Sequence, residues 1–167
     1  MQMTKPSAED TTPEGADGAR AHVRDLSTLS GVELLRLMAA DPGTGRNIGH
    51  LLGMRIDRVD VGEVEFSLTT RQDFGNPLGS VHGGVCATLL DSVMGCAVHS
   101  TLEAGIGYGT LELKVNYIRT VPVDGVLLVA TGRTIHVGRT TATAEGQVKD
   151  GDGRLVAHGT TTCLIYR

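Results

Sequence analysis

One stretch limits this chain more than any other: HGGVCATLLDSVMGCAVHS, residues 82–100. From Val85 to Val98 it is small or apolar nearly all round a helix, with one acidic residue, Asp91, inside. A helix with no wet face has to be buried. It is too short to span a bilayer, and it carries a carboxylate. The rest of the chain therefore has to wrap around it. Burying a carboxylate costs free energy unless it is paired, hydrogen-bonded or kept for chemistry, so Asp91 requires an explanation.

The remainder reads as strands. In EVEFSLTT, Val64, Phe66 and Leu68 alternate with Glu63, Glu65 and Ser67. In TLELKVNYI, Leu111, Leu113, Val115 and Tyr117 alternate with polar residues. A period of two describes strands with one wet face. GVLLVATGRTIHV and RTTATAEGQVKD read as long strands joined at Gly138, and DGDG, residues 150–153, turns into RLVAHGTTTCLIYR. The order is strand, strand, long helix, four strands, and the tight connections among the last four favour antiparallel pairing. The expected fold is α+β: a curved antiparallel β-sheet wrapped around one long central helix.

The 167 residues suit one domain, residues 26–167. Residues 1–25 are rich in Ala, Gly, Thr, Pro and acids and read as a disordered N-terminal segment. Ser30 and Glu33 form a capping box before the short helix GVELLRLMAA, with Leu34, Leu35 and Met38 on one face. A net charge of −4, no basic run and 3% aromatic residues argue against nucleic-acid binding. No segment reads as a secretory signal or membrane span. Cys86, Cys96 and Cys163 have neither disulfide nor zinc spacing, which suits a reducing, cytoplasmic location. His50, His99, His136 and His158 show no metal spacing. Ser92 lacks a nucleophile-elbow pattern.

The run N-P-L-G-S-V-H-G-G, residues 76–84, followed by A-T-L-L-D-S, residues 87–92, resembles the hotdog-fold acyl-CoA thioesterases, in particular the phenylacetate-pathway (PaaI-like) branch. The likeness runs from about Ile48 to the C-terminus, with weaker support from TLELKVNYIR and HVGRTTATAEGQVKDGDGRLVAHGTT. The resemblance implies hydrolysis of an acyl-CoA thioester at the interface of a homodimer, often paired into a homotetramer. It implies no metal or redox cofactor, CoA being part of the substrate. By position, Asp91 would be general base or nucleophile, and the Gly83 N–H would polarise the thioester carbonyl. Asn76 and His82 would orient the carbonyl or the water, and Thr110 would help place the water.

The residues themselves bear on these roles. A partly desolvated carboxylate is a better base than a solvated one. Gly83 and Gly84 open a helix, whose N-terminus exposes unpaired N–H groups to an oxyanion, and without side chains they let substrate approach; they equally suit a tight turn. His82 either caps the helix or acts directly. Asn76-Pro77 is also a common turn dipeptide, and Thr110 an ordinary strand residue. Gly138 and Arg139, at a strand junction, are candidate substrate-binding positions, Arg139 facing a CoA phosphate or solvent. Gly83 and Asp91 lie about 12 Å apart along one helix, too far to serve one carbonyl. If both work, they come from two copies of the helix related by a two-fold axis. Two other activities fit the fold: a non-catalytic acyl-CoA-binding protein, and a hydratase or dehydratase.

Overall fold

The computed structural model describes residues 26–41 and 47–167, so the disorder expected of residues 1–25 lies outside the described residues. In chain order the elements are α1 (Gly31–Ala40), α2 (Ile48–Leu52), β1 (Arg55–Asp60), β2 (Glu63–Thr69), α3 (Gly83–His99), β3 (Gly107–Tyr117), β4 (Leu127–Val137), β5 (Thr141–Asp150) and β6 (Leu155–Tyr166). The six strands form one antiparallel sheet in the order β1-β2-β4-β5-β6-β3. Helix α3 packs against β2, β3, β4, β5 and β6. This is the hotdog arrangement expected from the sequence. Among the described residues no helix is long and apolar enough to cross a membrane.

Tight turns do link β4, β5 and β6 as neighbours, but β3 pairs with β6 rather than β4. Residues 118–126 carry the chain back across the sheet, and β3 is left as an edge strand with one side unpaired.

The core lies between α3 and the sheet. Leu89, Leu90, Val93, Met94, Ala97 and Val98 are wholly buried there, against Val64, Leu128, Ala130, Ala144 and Val148. The helix comes close because Gly132, Gly146 and Gly159 pair side by side across β4, β5 and β6. A Cβ on Gly132 would lie 2.6 Å from the Val93 carbonyl oxygen, and one on Gly146 would lie 2.9 Å from Met94 Cγ. The small inner face of the sheet thus makes the trough in which α3 lies.

Two expectations need correction. Helix α3 is not buried all round: Gly84, Ala87, Thr88, Asp91, Ser92, Cys96 and His99 form a stripe left open or half-open to solvent within one chain. Asp91 is therefore half-buried, opening into a cavity rather than packing into the core. The alternation read through β3 also breaks. A β-bulge falls between Thr110 and Glu112, so Leu111 is the extra residue and is 60% exposed. Leu113, Val115 and Tyr117 keep the helix-facing side, but N-terminal to the bulge the parity is reversed. There Thr110 and Tyr108 face the helix, opposite the buried Cys163 and Ile165.

At the N-terminal end, the Ser30 N–H donates to the Glu33 carboxylate at 2.9 Å, as a capping box requires. Leu35 is buried while Met38 is 44% exposed, so the apolar face of α1 is narrower than its sequence suggests. Helix α2 had no periodic signal, being only five residues long. Asn47 starts it by accepting the His50 N–H at 2.9 Å, and Gly53 ends it with φ of 70°.

Candidate active site

The two ends of the conspicuous motif go to different places. At the start of α3, His82 is the N-cap: its Nδ1 accepts the Gly84 N–H at 2.9 Å. The Gly83 carbonyl accepts from the Tyr117 hydroxyl at 3.1 Å. A Cβ on Gly83 would meet the Tyr117 ring at 3.1–3.3 Å, so the missing side chain lets the ring lie close over the helix start. No hydrogen bond found among the described residues uses the Gly83 N–H. As one of the first N–H groups of a helix it lacks an intrahelical acceptor and lies at the positive end of the helix dipole.

Asn76 sits in the loop before α3. Its side-chain oxygen accepts from the Leu78 and Ser80 N–H groups at 2.9 and 3.2 Å, and its amide donates to Ser80 Oγ at 3.0 Å. These bonds fold residues 76–80 into a turn that holds Leu78 at its tip, 92% exposed. Asn76 and Gly83 line one cavity of about 360 Å³, with Tyr117 and Arg119.

Asp91 opens into a different cavity, of about 530 Å³, with Thr110, Ser92, Cys96, Tyr108, Phe66, Ile56 and Met54. The Thr110 hydroxyl donates to Asp91 Oδ1 at 2.9 Å. No ion pair among the described residues includes Asp91. Thr110, Cys96 and Tyr108 stand beside it, and Arg55, paired with Asp57, lies on the same cavity. Burial pushes the Cys96 thiol up to about 12, opposed by a bond to the Tyr108 hydroxyl and reinforced by the Asp91 charge. Burial likewise raises Cys163 and Tyr108, and the Asp91 charge adds to both. Asp91 thus has one hydroxyl donor among the described residues and a side open to the cavity.

The chain therefore brings Thr110 to Asp91, and Asn76 to the helix start beside Gly83, but it does not unite the two groups. Gly138 and Arg139 reach neither cavity. Gly138 N–H donates to the Thr141 carbonyl at 2.8 Å in the β4–β5 turn, and Arg139 is exposed, its carbonyl accepting from Arg167. Two residues at the site escaped the sequence reading of function. Tyr117 was placed on the helix side of β3, but nothing in the alternation aims its hydroxyl at Gly83. Tyr108 gave no signal, since the bulge that turns it inward is not visible as a pattern.

A long helix packed against one face of an antiparallel sheet, with an unpaired Gly83 N–H at its start and a carboxylate at its middle, is a hotdog arrangement. Comparison with known proteins specifies the class further. The profile of the Thioesterase superfamily matches residues 78–157. A Halobacterium salinarum protein that carries the name esterase is 32% identical over 127 residues, 70% of this chain and 82% of that one. Human acyl-coenzyme A thioesterase 13 is 28% identical over 120 residues, covering 70% of this chain and 84% of its own length. The crystal structure of a phenylacetic acid degradation-related protein from Ralstonia eutropha JMP134 superposes with a TM-score of 0.70 at 32% identity, over 78% of this chain and 98% of that one. The chain belongs to the thioesterase superfamily and is a thioester hydrolase.

Proposed function

We propose that the protein hydrolyses an acyl-CoA thioester to a free acid and CoA, at a site shared by two copies of the chain. One observation carries the reading. Gly83 and Asp91 lie on one unbroken helix, about 12 Å apart along its axis, and open into separate cavities. A carbonyl carbon cannot touch both within one chain. Two α3 helices packed antiparallel along their open stripes would set Gly83 of each against Asp91 of the other. The unpaired edge of β3, with Leu111, Tyr117 and Ile118 exposed on or just beyond it, supplies a surface for the same association. The name of the human relative supports CoA as the thiol carrier.

In this arrangement Asp91 takes a proton from water as the water oxygen bonds to the thioester carbon. The carbonyl oxygen becomes an oxyanion, held by the Gly83 N–H of the second chain. The oxyanion then re-forms the carbonyl, the C–S bond breaks, and CoA leaves as thiolate. Thr110 keeps the Asp91 carboxylate oriented. No metal or redox group takes part in these steps.

Subunit exchange tests the shared site. Asn76→Ala and Asp91→Asn are each expected to be inactive. In a mixed dimer one site collects both lesions and the other neither. Random exchange makes about half the dimers mixed, so thiol release should return to about a quarter of wild type per chain. No recovery, with exchange verified by native mass spectrometry, would defeat the shared site.

A further inference from the structure

We propose that Tyr108 sets how deep an acyl group can reach beyond Asp91, and so selects which acyl groups the enzyme accepts. The inference rests on the acyl-CoA reading above. Two matched layers of helix and strand support it. In the upper layer Thr110 meets Asp91 at 2.9 Å. Tyr108 is two residues further along the same face of β3, about 6.6 Å at the rise of a strand. Gly95 is four residues further along α3, about 6 Å at the rise of a helix. Strand and helix step together, so Tyr108 lands on Gly95. A Cβ at Gly95 would lie 2.8 Å from the Tyr108 hydroxyl oxygen and 2.9 Å from Cε2. The missing side chain is the notch in which the ring lies.

The ring is held as well as seated. Its plane tilts against the His99 imidazole with centroids 5.4 Å apart. Tyr108, Cys96, Thr110 and Asp91 all line the same cavity of about 530 Å³. The chain has three Tyr, two Phe and no Trp, and Phe66 stands on this cavity too, so two of its five aromatic rings face an acyl group there.

An acyl group whose carbonyl lies beside Asp91 and which runs along α3 meets the Tyr108 ring after about 6 Å. One aromatic ring fills that length, and a second in line overruns it. Past this point the group has to turn toward Phe66 and Ile56. A flexible chain can turn; a rigid rod cannot. Tyr108 thus discriminates by straight length rather than by polarity.

The test compares benzoyl-CoA with biphenyl-4-carbonyl-CoA, by thiol release and by calorimetric binding, on wild type, Tyr108→Leu, Tyr108→Phe and Gly95→Ala. Wild type should favour benzoyl-CoA. Tyr108→Leu opens the floor and should cut that preference in kcat/KM about tenfold or more, the scale of a hydrophobic pocket gaining room. Tyr108→Phe keeps the ring and should keep the preference. Gly95→Ala, which favours the helix, pushes the ring tip into the cavity and should sharpen the preference, so the test survives if Tyr108→Leu fails to fold. General loosening of the fold would lower both substrates alike and leave the ratio unmoved. If thioesters are hydrolysed and the ratio stays within threefold in Tyr108→Leu and in Gly95→Ala, the role of Tyr108 is overturned. If no thiol is released but the binding ratio shifts as described, the hydrolase reading fails and Tyr108 stands. If neither substrate is bound or cleaved, both fail.

Discussion

Asp91 has one hydroxyl for company, and that sparseness can be tested. Asp91→Asn keeps the shape of the side chain and removes the base. It should fold, bind acyl-CoA and lose about 10²–10⁴-fold in kcat, measured by thiol release. Thr110→Val removes, at nearly constant volume, the one donor to the carboxylate found among the described residues. A hydrogen bond to a charged group contributes about 1.5–3 kcal/mol, so kcat should fall about 10–100-fold with the fold intact by circular dichroism. The cysteines make a separate prediction. Burial raises all three thiols, Cys96 to about 12, so thiolate is scarce at neutral pH. The native protein should react slowly with a disulfide reagent at pH 7.5, and all three thiols should react once it is denatured. Asp91 drew notice in the sequence because acids are rare in apolar helices. Thr110 gave no such sign, because a threonine in a strand is ordinary and its aim depends on a bulge.

Helix and strands were legible to different degrees, for reasons of packing. The limits of α3 could be read because His82 and Ser100 flank an apolar run with no internal breaker. The strand alternation in β2 held: Val64, Phe66 and Leu68 are all buried. In β3 it held only from Leu113 onward, since one extra residue reverses the faces without altering composition. The row of Gly132, Gly146 and Gly159 was invisible for another reason: the three meet only through pairing between strands. Gly132→Ala places a Cβ 2.6 Å from the Val93 carbonyl, and backbone cannot swing away. It should lower stability by about 1–3 kcal/mol in denaturant melts, the usual cost of overpacking. The β5–β6 turn has its own signature. The Asp150 carboxylate accepts from the Asp152 and Arg154 N–H groups at 3.1 and 2.9 Å and from Arg154 Nε at 2.8 Å. Burial alone would raise its pKa, but the Arg154 N–H and guanidinium outweigh that and hold it below the usual carboxylate value. With the folded value below the unfolded one, its stabilisation is present above the ordinary range and is lost as pH falls through the folded value. Asp150→Ala should therefore lower the thermal midpoint at pH 7, and its gap from wild type should narrow below about pH 4.

At the scale of the molecule, the spacing from Gly83 to Asp91 was in the sequence, but their separation into two cavities needed the fold. The stripe of Gly84, Ala87, Thr88, Asp91 and Ser92 was masked in the sequence by the smallness of its residues, which read as core. If two chains build each site, dilution to the point of dissociation should abolish activity per chain, as native mass and rate measured together would show. The placement of base and donor on one rod also has a genetic consequence. A chain carrying Asp91→Asn alone spoils one site of a mixed dimer, but a chain carrying both Asn76→Ala and Asp91→Asn spoils both, including the one that uses the wild-type chain's base. Such an allele is dominant-negative. Co-expressed in equal amounts, it should leave about a quarter of the sites working, against about half if each chain served itself. If the site is shared, the helix that leaves a lone chain inert also makes every healthy chain hostage to its companion.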